Sequence, residues 1–70
     1  MVRSFFVMRY EDVARMVISA LQSLPPNTTI VVGDRVFRPQ DLIYEIQMHT
    51  SYGRMFVLNY AKQIGVSITG

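Results

Sequence analysis

Two adjacent prolines, Pro25 and Pro26, place the firmest boundary in this sequence. Neither residue can donate the backbone hydrogen bond that would extend a helix, so a helix that precedes them must end there. Before them, apolar side chains recur at three- and four-residue spacing, as at Val13 and Val17, while polar residues gather on the opposite side. This pattern predicts an amphipathic helix over residues 10–24.

After the prolines, β-branched residues flank a short glycine turn. The turn is Gly33-Asp34, and glycine readily takes the positive φ that the first central position of a tight hairpin requires. The pattern predicts a short β-hairpin over residues 29–37. Pro39 follows where proline is favoured, at the first position of a helix.

The segment 39–64 allows two interpretations. Thr50, Ser51 and Gly53 are poor helix formers and favour a break between two helices. One observation argues against a break. A largely apolar stripe keeps helical spacing through residues 50–53 and consists of Leu42, Ile46, His49, Gly53, Phe56 and Tyr60. We therefore predict one long helix over 39–64, with room for a bend near Gly53, and keep two helices as the alternative.

A second stripe lies on the opposite side of this predicted helix and consists of Tyr44, Met48, Tyr52 and Met55. Exposed Tyr and Met are enriched in protein interfaces, and Met adapts to irregular partners. We predict that these four residues form a partner interface. The alternative is that the hairpin or the N-terminal segment covers them within the same chain.

The remaining segments are short. Residues 2–8 are apolar and are predicted to form a strand or an extended arm. Residues 60–67 resemble the first half of a helix-turn-helix motif, but Gly65 also fits an ordinary helix C-cap, which we favour. The fold class predicted for residues 1–70 is a single small α+β domain, mostly α.

Composition limits how so small a domain can be stabilised. The 70 residues include no cysteine and one histidine, which excludes disulfides and leaves no plausible set of metal ligands. Half of the residues are hydrophobic and only 17% are charged, against about a quarter in typical domains. Oligomerisation is the remaining means of support, and we expect a homodimer.

No catalytic constellation is visible. His49 follows Glu45 by one helical turn, but no nucleophile is placed beside them, so we interpret His49 as structural. We expect no enzymatic activity, no cofactor and no small-molecule substrate. No stretch approaches the roughly 20 apolar residues that cross a bilayer, so we expect no membrane partner and a cytoplasmic location.

Two functions remain from this reasoning. The first is a non-enzymatic protein-interaction or oligomerisation module that uses the Tyr/Met stripe. The alternative is a small dimeric nucleic-acid-binding regulator, because the net charge is +2 and Arg35 and Arg38 flank the end of the predicted hairpin. The charge permits this alternative without requiring it.

Overall fold

The computed structural model describes residues 6–69, with side chains from residue 7 onward. Its elements follow in the order β1 (Phe6–Arg9), α1 (Tyr10–Gln22), β2 (Ile30–Val32), β3 (Arg35–Phe37), α2 (Pro39–Gln47), α3 (Ser51–Ile64) and β4 (Val66–Thr69). Helices account for more than half of the described residues, so the predicted α+β class with helix dominant is confirmed.

The helix before the proline pair is confirmed as α1. It buries Val13, Val17 and Leu21 and ends at Gln22, two residues before the predicted limit. Ser23 is its C-cap, and the hydroxyl of this residue donates a 2.7 Å hydrogen bond to the Ala20 carbonyl. The serine thus satisfies one of the carbonyls that the end of a helix leaves free.

The hairpin of β2 and β3 is also confirmed. Gly33 has a φ of 61° in the turn, and the strands pair so that Val31 faces Val36 across the ladder. Alternation along the strands buries Val32 and Phe37 against the core and exposes Val31 and Val36 on the outer face. The hairpin therefore presents an apolar pair to solvent.

The prediction of one long helix over 39–64 is wrong, because the chain turns sharply between α2 and α3. His49 adopts a left-handed conformation with a φ of 57°. The Thr50 N–H donates to the Glu45 carbonyl and the His49 N–H to the Ile46 carbonyl, both at 3.2 Å. These two bonds form a Schellman motif that ends α2. Thr50 then caps α3, its hydroxyl oxygen accepting from the Gly53 N–H at 3.2 Å.

The turn lets α3 fold back onto α2, and Gly53 permits their close approach. A Cβ at Gly53 would lie 2.5 Å from the Glu45 carbonyl oxygen, closer than any side chain could sit. α3 buries Gly53, Val57 and Ala61. The predicted stripe is therefore wrong in part: Phe56 and Tyr60 are only half-buried, and His49 is exposed.

A strand at the end of the chain was not predicted. β1 and β4 form a parallel pair in which Met8 is level with Ile68, and both side chains pack against the core. The predicted N-terminal strand is confirmed over the residues it shares with β1, while residues 2–5 lie outside the described part. Gly65 is the predicted C-cap of α3, with a φ of 78°.

The core lies where α1, α2, α3 and the hairpin meet. Its most completely buried side chains are Val13, Val17, Leu42 and Val57. Over residues 6–69, no helix has the length and apolar character needed to cross a membrane.

Candidate interaction surface

The four residues of the predicted Tyr/Met stripe are divided between two helices. Tyr44 and Met48 lie on α2 and its C-cap and are 58% and 57% exposed. Tyr52 and Met55 lie on α3, where Met55 is 46% exposed and Tyr52 is half-buried. Three of the four side chains are thus exposed, but the turn at His49 prevents them from forming one continuous helical stripe.

Tyr52 is covered by the hairpin. Its ring lies 5.5 Å from that of Phe37, and its hydroxyl donates a 2.6 Å hydrogen bond to Asp34 Oδ1. The Arg35 guanidinium lies 5.3 Å from the Tyr52 ring centroid and 5.4 Å from that of Phe37. The hydrogen bond from Tyr52 lowers the pKa of Asp34 and raises the pKa of the tyrosine itself. For Tyr52, the structure therefore agrees with the alternative prediction, in which the hairpin of the same chain covers the residue.

The two arginines of the nucleic-acid alternative have different surroundings. Arg35 is stacked on the two aromatic rings just described, while Arg38 is exposed as the N-cap residue of α2. Arg35 thus contacts two rings of its own chain, although it remains exposed.

An apolar groove of about 440 Å³ lies between the hairpin and α3. Val31, Met55 and Leu58 line it, and they are 71%, 46% and 45% exposed. Its other lining residues include Asn59, Lys62 and Gln63, which are exposed and polar. Protein-binding surfaces commonly combine exposed apolar residues with polar ones in this way.

Gly33 brings the hairpin turn close to α3 beside this groove. A Cβ on Gly33 would lie 3.7 Å from the Tyr52 ring and 3.8 Å from the Met55 sulfur. The turn is thus in reach of both side chains, and the hydrogen bond from Tyr52 to Asp34 holds it there. This contact sets the position of one wall of the groove.

A second depression, of about 640 Å³, adjoins the groove at Leu58, which lines both. Among the described residues that line it, Arg9 and Arg54 are cationic and Glu11 is acidic. The Arg54 guanidinium lies 5.3 Å from the centroid of the Tyr10 ring.

Tyr10 lies at the edge of this depression, but its hydroxyl is turned inward. Burial raises the pKa of Tyr10, against the opposing effect of the Arg54 charge. The hydroxyl is buried and has no hydrogen-bond partner within residues 6–69. It therefore contributes no donor to the surface.

Glu45 and His49 were predicted to lie one helical turn apart, but their side chains have different surroundings. The Glu45 carboxylate accepts a 2.6 Å hydrogen bond from the Thr50 hydroxyl, while the His49 side chain is exposed. Among the described residues, no three side chains of the His, Cys, Asp or Glu type come together as metal ligands would. Glu45 thus serves the turn between α2 and α3.

Comparison with family models, curated proteins and solved structures finds no match to this chain. Its function must therefore be inferred from its own surfaces. Sequence reasoning found Met55 but missed Val31 and Leu58. Leu58 follows Met55 by three residues on the exposed side of α3, a spacing that becomes informative once Thr50 is recognised as the start of the helix.

Proposed function

We propose that this protein is a non-enzymatic protein-interaction module whose contact surface is the groove between the hairpin and α3. The observation that carries the proposal is the distribution of apolar side chains. Within residues 7–69, ten large hydrophobic residues are exposed and ten hydrophobic residues form the buried core. Scattered exposed hydrophobics are ordinary, but three of these residues, Val31, Met55 and Leu58, line one groove. Exposed hydrophobics that share a concave site indicate binding.

The groove suits a polypeptide better than a small molecule. Its exposed apolar residues, Val31, Met55 and Leu58, belong to two different elements and lie in an open channel rather than an enclosed cavity. Small-molecule sites usually enclose most of the ligand surface, whereas a channel of this kind accepts side chains presented by another chain. The flexible thioether of Met55 can adapt to side chains of different shape.

Tyr44 and Met48 extend the proposal to α2. Both are exposed, as an interface residue of the free protein should be, and they remain proposed contact residues together with Met55. We assign Tyr52 a different role, because its hydrogen bond to Asp34 holds the hairpin that forms one wall of the groove. Self-association through these residues, as the sequence predicts, is one form that this function can take.

A photo-crosslinking amino acid placed at position 58 tests the proposal. We expect position 58 to give discrete crosslinked products in the cells that make the protein, because Leu58 is exposed and lines both the groove and the adjoining depression. Ser19, which is exposed on α1, provides the matched control position. Light scattering of the purified protein then distinguishes self-association from binding to another chain. The proposal fails if position 58 gives no more product than position 19 while both variants unfold at the temperature of the parent protein.

A further inference from the structure

The exposed side of α3 combines apolar and cationic side chains. We define the α3 face as Arg54, Met55, Leu58, Asn59 and Lys62, all of which are exposed. Helical spacing places Met55, Leu58, Asn59 and Lys62 on the side of α3 away from the buried Gly53, Val57 and Ala61, with Arg54 at the edge of that side. The two apolar residues of the α3 face therefore lie among its cations.

Neighbouring elements add to the positive charge. Leu58 also lines the depression that contains Arg9 and Arg54, so the α3 face continues into this second basic area. Among the described residues that line the groove and the depression, the formal cations are Arg9, Arg54 and Lys62, and the one acidic side chain is that of Glu11.

The acidic residues of this chain are poorly placed to match these cations in a second copy. The chain has five acidic residues. Asp12 forms a 2.9 Å ion pair with Arg15. Asp34 accepts a hydrogen bond from the Tyr52 hydroxyl, and Glu45 accepts one from the Thr50 hydroxyl. Within residues 6–69, only Glu11 and Asp41 are then left without a side-chain partner.

A symmetric contact between two α3 faces would bring like charges together. In a two-fold contact the same patch occurs on both partners, so the cations Arg54 and Lys62 of one copy would face the cations of the other. Like charges that face each other across an interface are unfavourable and exclude wrong partners. The charges of the α3 face thus favour a different chain over a second copy.

We infer that the α3 face binds an acidic, amphipathic segment of another polypeptide, an inference that rests on the proposed function and specifies its partner. Apolar side chains of the segment occupy the groove against Val31, Met55 and Leu58. Carboxylates beside them pair with Arg54, Lys62 and Arg9. A nucleic acid would satisfy the cations but not the exposed apolar residues of the groove, because nucleic-acid interfaces are more polar than protein interfaces.

Selection from a random-peptide library tests the charge of the partner directly. The full-length protein serves as bait, and Leu58→Glu serves as the counter-selection bait that removes peptides binding elsewhere. We expect the enriched peptides to be richer in Asp and Glu than the starting library and to carry apolar residues between them. Their affinity should fall as NaCl rises from about 50 to about 300 mM, because exposed charge pairs are screened by salt.

Charge reversal then assigns the attraction to particular residues. Arg54→Glu and Lys62→Glu should each weaken the binding of an enriched peptide and raise its Kd about tenfold. Arg38→Glu is the matched control, because it makes the same change in net charge at an exposed residue that lines neither the groove nor the depression. Thermal unfolding of each variant separates a loss of binding from a loss of folding.

Each other outcome overturns the inference in a recognisable way. Uncharged or basic enriched peptides, or an equal effect of Arg38→Glu, would show that the face does not select acidic partners, while the proposed function would stand. A dimer in light scattering whose NMR contacts map to Leu58 would replace the acidic partner by a second copy. An oligonucleotide that displaces the enriched peptides from Leu58 would assign the face to nucleic acid. No enrichment over the Leu58→Glu bait would overturn both this inference and the proposed groove.

Discussion

Replacing His49 with glycine should stabilise the protein. His49 has a φ of 57° in the Schellman motif that ends α2, a position usually occupied by glycine. A left-handed conformation costs an L-residue about 1–2 kcal/mol. Glycine avoids this strain but loses about 0.5–1 kcal/mol through the greater freedom of the unfolded chain. The difference predicts a gain of about 0.5–1 kcal/mol in the free energy of unfolding for His49→Gly.

The side chain that is lost should not offset this gain. His49 is exposed, and its imidazole makes no hydrogen bond or ion pair to the described residues. For a domain of this size, a gain of about 1 kcal/mol corresponds to a rise in Tm of roughly 4–8 °C. Urea unfolding followed by circular dichroism measures the free energy, and an unchanged m-value shows that the native fold is retained.

Gly65→Ala provides the opposite experiment. Gly65 has a φ of 78°, and an added Cβ would meet nothing within 4 Å, so the substitution introduces backbone strain without a clash. We expect a loss of about 1 kcal/mol. If His49→Gly is less stable than the parent while Gly65→Ala behaves as expected, contacts of the imidazole outweigh its backbone strain, and the reasoning about His49 is refuted.

Three further substitutions address other parts of the fold. Gly53→Ala should cost about 3 kcal/mol or more in urea unfolding, because its Cβ would lie 2.5 Å from the Glu45 carbonyl oxygen, and a loss below about 1 kcal/mol would contradict this close approach. Tyr10→Phe should raise the free energy of unfolding by about 1 kcal/mol, because the buried Tyr10 hydroxyl has no partner among the described residues; a loss of stability would reveal a bound water or another partner. The Tm of the Tyr52→Phe variant should fall less than that of the parent protein when the pH is lowered. The hydrogen bond from Tyr52 lowers the pKa of Asp34 below its ordinary 3.8, so it stabilises the fold above that pH and is lost as the pH falls through the lower folded value. Equal acid sensitivity of the Tyr52→Phe variant and the parent would contradict this assignment.

The elements that the sequence predicts well are those with local signals. The proline pair after α1 and the glycine turn between β2 and β3 act on the backbone directly, whatever the rest of the chain does. The position of Pro39 at the first turn of α2 has the same origin. These features can be predicted without knowing which surfaces meet in the folded chain.

The turn between α2 and α3 was missed for a specific reason. A glycine or asparagine at position 49 would have indicated a left-handed C-cap, but histidine carries no such signal. Threonine is a favoured N-cap residue, but Thr50 was interpreted only as a poor helix former, and the apolar spacing across it favoured one continuous helix. That spacing was a coincidence, because the buried face of α3 is set by Gly53 packing on the backbone of α2.

The candidate surface was only partly predictable. Met55 was found because it lies on the exposed side of α3, but the groove also depends on how the hairpin docks beside it. The hydrogen bond from Tyr52 to Asp34 that fixes this docking joins residues 18 positions apart, a separation at which no helical or strand periodicity operates. Leu58 gains its importance from the same docking, since it lies between the groove and the basic depression.

The pairing of β1 with β4 has a consequence for the order of folding. Phe6 is level with Val66, so this small parallel sheet can form only after almost the whole chain has been brought together. Closing so long a loop loses chain entropy before the strands gain any contact, whereas α1 and the hairpin form from near neighbours. We therefore expect β1 and β4 to pair late in folding and their amide hydrogens to exchange with solvent sooner than those at the centres of α1 and α3.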